Sequence, residues 1–450
     1  MKLPQPKLTK HALGFLFFVI LLDVIGLGII IPVLPQLLIE LTGRAENEVA
    51  LLGGYLLFAY AGAQFVMSPI LGGISDRFGR RPVILFSLLG YSVDFTLMAL
   101  APTYAWLFLG RLLSGAFAAT YATSYAFIAD VSPPEKRAGN FGLLGAAFGI
   151  GFILGPLLGG VLGEIDTRLP FFAAAAIAFA NFVYGIFVLP ESQPAEKRRK
   201  FELKRANPLG SLLQLRTYPI VLGVLLSYFL MQVAHNSLPA IWSYFSTVKF
   251  GWTPRDIGLS LVYVGVTAAF VQGYLTRKLI PVLGERTAVH IGLIAMTVSF
   301  MGYAFLTPTG GWVYLWITVG AAGGFMMPGM QGLMSRATPE NAQGELQGAI
   351  ASVMSITMLV SPLSMTWIFD RYTADDAAVY FPGAPFLVSG VILLTALVPF
   401  WLTLSKAELR SRAANATKGT NEAALMAGAE ISDQSQADNN ESTVKSTQNQ

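Results

Sequence analysis

Twelve apolar runs of about twenty residues each, separated by short polar connections, leave this chain few ways to fold. The runs fall near 12–37, 51–71, 83–101, 105–129, 140–163, 169–189, 219–243, 257–280, 287–306, 312–336, 343–368 and 384–404. Twenty residues is the helix length that covers the hydrocarbon core of a bilayer. Inside that core every backbone N–H and C=O must be satisfied within the chain, so each run is expected to be a helix. A transmembrane β-barrel would need short segments of alternating polarity, and the sequence has none. Composition agrees. Of the 450 residues 54% are hydrophobic and only 12% charged, too few charges to clothe a soluble surface. The expected class is therefore an all-α membrane protein, multi-pass in the lipid bilayer.

The same composition removes several functions. Cys is absent, which excludes disulfide scaffolds, thiol nucleophiles and Cys-ligated metals. The three histidines, His11, His235 and His290, are far apart, so no metal site is expected. No nucleophile–base pair, zinc signature or phosphate loop is found, so the chain does not read as an enzyme, and no cofactor is implied. The first run contains Asp23, Pro32 and Pro35 and lacks a small-residue cleavage site, unlike a removable signal peptide. The formal net charge of +4 could suggest nucleic acid in a soluble protein, but the placement of the charges explains it without such a partner.

Lys and Arg concentrate in alternate connections, among them Arg77, Arg80 and Arg81, Lys136 and Arg137, the 197–205 cluster and Arg277 with Lys278. The intervening connections hold only Arg44, Arg168, Lys249, Arg255 and Arg371. An excess of Lys and Arg marks the cytoplasmic side, which places both termini inside. Four regions follow: six helices over 1–189, a basic cytoplasmic linker at 190–218, six helices over 219–404 and a polar tail at 405–450. The linker reads as flexible in preference to a binding site. The tail, rich in Ala, Asn, Ser, Thr and Gln, cannot bury a core and is expected to be disordered.

The two sets of six echo each other. Gly72-Gly73-Ile74-Ser75-Asp76-Arg77-Phe78-Gly79-Arg80-Arg81-Pro82 is followed about two hundred residues later by Gly273 to Lys278 and then Gly284-Glu285-Arg286. Gly155-Pro156 in span 5 is echoed by Ser361-Pro362 in span 11. Such repetition is the usual plan of secondary transporters, with a substrate site near the midplane between the halves.

Four groups of residues are candidates for function. Asp23 in span 1 and Asp94 in span 3 are the acids deep inside predicted spans. A carboxylate there is costly, so proton or substrate handling is favoured over a polar knot between helices. Arg111 in span 4 is the cation among them, able to hold an ionised Asp or simply to tie helices together. Gln64, Gln232, Asn236, His235, Gln272 and Gln331 either line a substrate cavity or act as interhelical glue. Trp242 reads equally as a lining aromatic or an interface anchor.

The 72–82 segment is expected to be a short turn between helices. Its glycines allow close packing and positive φ. Asp76, Arg77, Arg80 and Arg81, with Asp130 at the inner end of span 4, are expected to form a charge network at the cytoplasmic face; the arginines alone would also suit a topology signal. In span 5, Gly151, Gly155, Gly159 and Gly160 allow helices to approach closely, and Pro156 is expected to kink or break the span.

At this point the sequence resembles a known family. GGISDRFGRRP is similar to the signature loop of the major facilitator superfamily, and GFILGPLLGG resembles the span-5 motif of its antiporters. Asp23 with Pro32-Val33-Leu34-Pro35, Gln64, Asp94, Gly110-Arg111, Met231-Gln232, Pro239-Ala240-x-Trp242, Ile257 to Leu261 and Gly344-x-Leu346-Gln347-Gly348 resemble the tetracycline-resistance branch of twelve-span drug:proton antiporters, over about 12–400. The resemblance implies two pseudo-symmetric six-helix bundles and proton-driven export of a small amphipathic drug through a bacterial inner membrane. It adds weight to Asp94 as the coupling acid and Asp23 as a site-facing one, and it favours a cavity-lining role for Gln64, Gln232 and Gln272. Such exporters usually carry a His in span 8 and an Asp in span 9; the matching positions here are Ala268 and Met296. A monomer is expected. Uptake of a metabolite by proton symport and a non-transporting membrane scaffold are the alternatives. The span-5 motif opposes the first, and the two intramembrane acids oppose the second.

Overall fold

A computed structural model describes residues 10–118, 120–132, 134–193, 198, 218–339 and 342–405, without the side chains of 10–12, 120–122 and 134–139. Most of the 190–218 linker and nearly all of the 405–450 tail lie outside the described residues. Every predicted run meets a helix, and no strand occurs among the described residues. Among the described residues eleven helices are long and apolar enough to cross a membrane. The twelfth crossing, span 4, is made of two shorter helices, Tyr104–Phe117 and Thr120–Val131.

Span 2, Val49–Phe78, and span 11, Gln343–Thr373, have 30 and 31 residues. Each rises about 45 Å, well beyond a hydrocarbon core of about 30 Å, so both project past it. Span 3 is Arg80–Ala99, span 5 Pro134–Ile165, span 6 Leu169–Val188, span 9 Glu285–Phe305 and span 12 Ala384–Ser405. Four further spans are interrupted among the described residues. Span 1 breaks between Lys10–Ile30 and Leu34–Thr42, and span 7 between Pro219–His235 and Ser237–Phe250. Span 8 passes from Pro254–Phe270 through a π turn, Val271–Leu275, into Thr276–Leu283. Span 10 passes from Trp312–Gly320 through a 3-10 turn, Ala321–Phe325, into Met326–Arg336. Backbone groups freed at such breaks need partners. At the break in span 1 the Ser243 hydroxyl donates to the Ile31 carbonyl at 2.7 Å.

Two expectations about backbone shape are corrected. Pro156 lies inside one uninterrupted helix and does not break span 5. Residues 72–82 are not a turn of several residues either: span 2 stays helical to Phe78 and span 3 begins at Arg80. Gly79 alone makes the turn, at φ 107°, and Gly72 and Gly73 keep helical backbone. Span 9 also begins directly after a glycine of positive φ, Gly284 at 77°. In the N-terminal half the residue after that glycine, Arg80, pairs with Asp130 near the end of span 4. In the C-terminal half Glu285 pairs with Arg336 at the end of span 10.

The end carrying residues 10 and 405 is here the inner end. A large apolar cluster runs through both halves and includes Ile29, Leu37 and Leu56 with Trp242, Phe245 and Met365. A smaller one, around Phe15, Ile20, Ile84 and Phe127, stays within the N-terminal half. Polar links between the halves gather at the outer end. Asn47 donates to the Thr373 carbonyl at 2.9 Å, and Arg255 stands 3.8 Å from Glu164. Span 2 lies along span 11, and span 5 along span 8. At the outer end these pairs nearly touch: Gly54 lies against Thr366, and Gly160 against Pro254. Toward the inner end Gly72, Gly145 and Gly149 of one half, and Gly273 and Gly344 of the other, face open space. The halves therefore meet closely at the end called outer, and these glycines toward the other end have no such contact.

Candidate functional site

Span 3 turns one face inward, with Leu88, Tyr91, Asp94, Phe95 and Met98 buried at helical spacing, while Phe86 and Val93 point outward. Asp94 is 0% exposed. Its Oδ2 accepts a hydrogen bond from the Ser114 hydroxyl of span 4, and its Oδ1 has no partner. Gly110 makes room for this carboxyl, since a β-carbon there would stand 3.0 Å from Oδ1.

A cavity of about 20 Å³ opens beside this pair. Asp23, Tyr60, Tyr91, Phe95, Arg111 and Ser114 are among its lining residues. Spans 1, 2, 3 and 4 thus bring an acid, a base and three hydroxyls to one place inside the N-terminal half. Arg111 is 6% exposed and stands within electrostatic reach of Asp94, but no ion pair at 4 Å or less joins it to Asp94 or Asp23. The arrangement keeps a cation near two acids without neutralising either by contact.

The polar residues expected to line a substrate cavity do not join this one. Gln232 is buried in span 7. At the break in that span Asn236 donates to Thr357 of span 11 at 3.4 Å, and His235 is exposed. Gln272 is exposed on the π turn of span 8. Gln331 lies against Tyr228, and Gln64 is half-buried in span 2. Trp242 neither lines a cleft nor anchors at an interface. It is 2% exposed, donates from Nε1 to Ser260 at 2.9 Å and packs edge-on against Tyr303 and Phe386. Ala268 is half-buried, and Met296 is buried against the 3-10 turn of span 10, near Gly320 and Gly323.

At the inner end Arg80 ties three elements together. Its Nη1 is 2.6 Å from Asp76 and 3.0 Å from Ser75, and its Nε is 3.1 Å from Asp130. Ser192 also donates to Asp130, at 3.2 Å. Glu191 accepts from the backbone N–H of Arg80 at 2.8 Å and of Arg81 at 3.3 Å, supplying an acceptor to the orphan donors that open span 3. Arg81 donates to the Ile186 carbonyl at 2.7 Å, and Arg77 lies over the Phe78 ring. These partners all belong to the N-terminal half or, for Glu191 and Ser192, to the first residues of the connection that follows it.

Span 5 shows two small-residue stripes. Gly151, Gly155 and Gly159 sit against the backbone of Leu21, Ile25 and Ile29 in span 1. Pro156 and Gly160, on a neighbouring stripe, meet Gly258 and Pro254 of span 8. One face therefore packs on its own half and the other lies against the opposite half, where a side chain at Gly160 or Gly258 would hold the backbones apart.

Several of these residues were not foreseen. Ser114 stands one helical turn after Arg111, and Tyr91 one turn before Asp94. That spacing was a signal, whereas a lone hydroxyl in an apolar helix is not. Glu191 and Ser192 carried no signal, because they follow span 6 and meet span 3 only in three dimensions.

The family model of the Major Facilitator Superfamily matches residues 16–362 and 284–434. A class C tetracycline resistance protein of Escherichia coli is 37% identical over 390 residues, 86% of this chain and 96% of that protein. Multidrug resistance protein 2 of Bacillus subtilis (strain 168) is 29% identical, over 84% of this chain and 93% of its own length. Among solved structures, an inward-facing, unoccupied bacterial homologue of the human lysosomal transporter Spinster superposes with a TM-score of 0.69 at 16% identity, covering 87% of this chain and 96% of that one. With twelve helical crossings in two repeated halves and a sequence match that runs through both, the chain belongs to the major facilitator superfamily.

Proposed function

We propose that this protein is a proton-coupled antiporter that exports amphipathic drugs, with tetracyclines the first class to test. The observation that carries the reading is the juxtaposition of the wholly buried Asp94 with a small cavity holding Asp23 and Arg111. The likeness to tetracycline and multidrug resistance proteins supplies the cargo class. Asp94 is the proton carrier, Asp23 the acid facing the transport path, and Arg111 the cation that steadies whichever acid is ionised. Gln64, Gln232, Asn236, Gln272 and Gln331 serve the cargo's passage between the halves. The chain works as a monomer, driven by the proton gradient without a cofactor, and both termini face the cytoplasm of a bacterial cell.

Transport follows from rocking of residues 1–189 against 219–404, with 190–218 as the connection. In the inward-open state the drug enters between the halves. Proton binding shifts the balance between inward and outward states only as far as the two states differ in proton affinity. Asp94 supplies such a difference if its surroundings change as span 3 moves with its bundle. The test is Asp94→Asn in proteoliposomes under an imposed pH gradient, with tetracycline and the dye ethidium as probes. Uphill export is expected to stop. Full gradient-driven export by Asp94→Asn would remove Asp94 from the mechanism.

A further inference from the structure

Asp94 does not itself line the cavity that holds Asp23 and Arg111. One hydroxyl stands between them. Ser114 is 2% exposed, lines the cavity and donates to Oδ2 of Asp94. The other carboxylate oxygen is sealed on the side of Gly110, and it has no hydrogen-bond partner. A volume of about 20 Å³ is room for one water molecule. Any proton passing between such a water and Asp94 by hydrogen bonds meets the serine first.

We infer that the Ser114 hydroxyl is the relay through which Asp94 exchanges protons with water in this cavity. The inference rests on the antiport reading above and assigns a role within it. In the loading step a hydronium ion in the cavity gives a proton to Ser114 Oγ while the serine's own O–H bond breaks and its proton passes to Oδ2. The carboxylate becomes a neutral acid, the serine remains a neutral alcohol and the donor is left as water. Unloading runs the same transfers in reverse. The ionisable groups around this path are Asp23 of span 1, Tyr60 of span 2, Tyr91 of span 3 and Arg111 of span 4. None of these is hydrogen-bonded to Asp94. A serine that only braced the fold would be needed for every movement of the protein. A relay is needed only when protons move.

The test compares native protein, Ser114→Ala and Ser114→Thr in proteoliposomes, with tetracycline and ethidium as probes. Two rates are read: export driven by a pH gradient, and exchange of labelled for unlabelled drug at equal pH. Ser114→Ala is expected to slow driven export by about a hundredfold or more, the scale of losing one proton-transfer group. Its exchange rate should stay within about twofold of native, a change of only a few tenths of a kcal/mol in barrier. Ser114→Thr, which keeps the hydroxyl, should recover most of the driven rate. Native-rate driven export by Ser114→Ala overturns the relay, as does equal loss of both rates that threonine does not restore. A native protein that moves neither probe under the gradient overturns the antiport reading itself, and the relay with it.

Discussion

Gly160 of span 5 lies so close to Pro254 at the head of span 8 that a β-carbon would stand 2.7 Å from the Pro254 carbonyl oxygen. The outer end of the cleft is shut by bare backbone meeting bare backbone. Gly160→Ala should push the halves apart there at a cost of about 1–3 kcal/mol, the range for overfilling a packed contact, and so favour the outward-open state. Because the chain has no cysteine, Ser243→Cys introduces a single thiol, at a site 4% exposed where span 7 meets span 1. Its labelling by a membrane-impermeant maleimide should rise several-fold when Gly160→Ala is added.

Span 2 makes a second such contact. Gly53 lies directly under the Tyr244 hydroxyl of span 7, which is buried and without a hydrogen-bond partner. Gly53→Ala should clash with that oxygen and lower export. Adding Tyr244→Phe removes the oxygen and should restore part of the lost rate. Transport by the two single variants and the double variant checks this, since contacting residues behave non-additively.

Arg80 connects Asp76 on span 2, Asp130 on span 4 and, through its own N–H, Glu191 after span 6. Arg80→Gln leaves the first two acids without their cation and should cost about 1–3 kcal/mol. Asp76→Asn breaks only one link. It should slow the transport cycle more than it weakens drug binding, and equilibrium binding of tetracycline beside its export rate separates the two effects.

Glu191 caps span 3 from outside that helix. Glu191→Ala removes both a hydrogen-bond acceptor and a negative charge from a helix N-terminus, each worth about 1 kcal/mol or less when partly exposed. A Tm lower by a few degrees in detergent is the expected result. Glu191→Gln, which keeps an acceptor, should lose less.

The crossings were legible because oil imposes one demand on every run, that its backbone be satisfied within the helix. Asp23, Asp94 and Arg111 stood out for the same reason: charge in such surroundings needs an explanation. What the sequence hid depended on the neighbours. Trp242 has the same indole in a core as at an interface, and only Ser260, Tyr303 and Phe386 around it decide the matter. Pro156 was expected to break its span, yet its ring fits beside Gly28 and the helix continues. Gly79 and Gly72 look equally permissive in a string of letters, but only Gly79 occupies a conformation closed to other residues. Gln232 is buried in its helix while Gln272 stands exposed on its turn, a difference that the two identical letters do not carry.

Arg80 with Asp130 and Glu285 with Arg336 occupy corresponding places in the two halves, with plus and minus exchanged. A strut between neighbouring helices works equally well whichever end bears which sign, so drift after duplication can invert its polarity while leaving the scaffold intact. Aligning the halves letter by letter would score those positions as mismatches and understate their kinship. What the two halves have in common here is the location of a fastener, not the sign at either end of it.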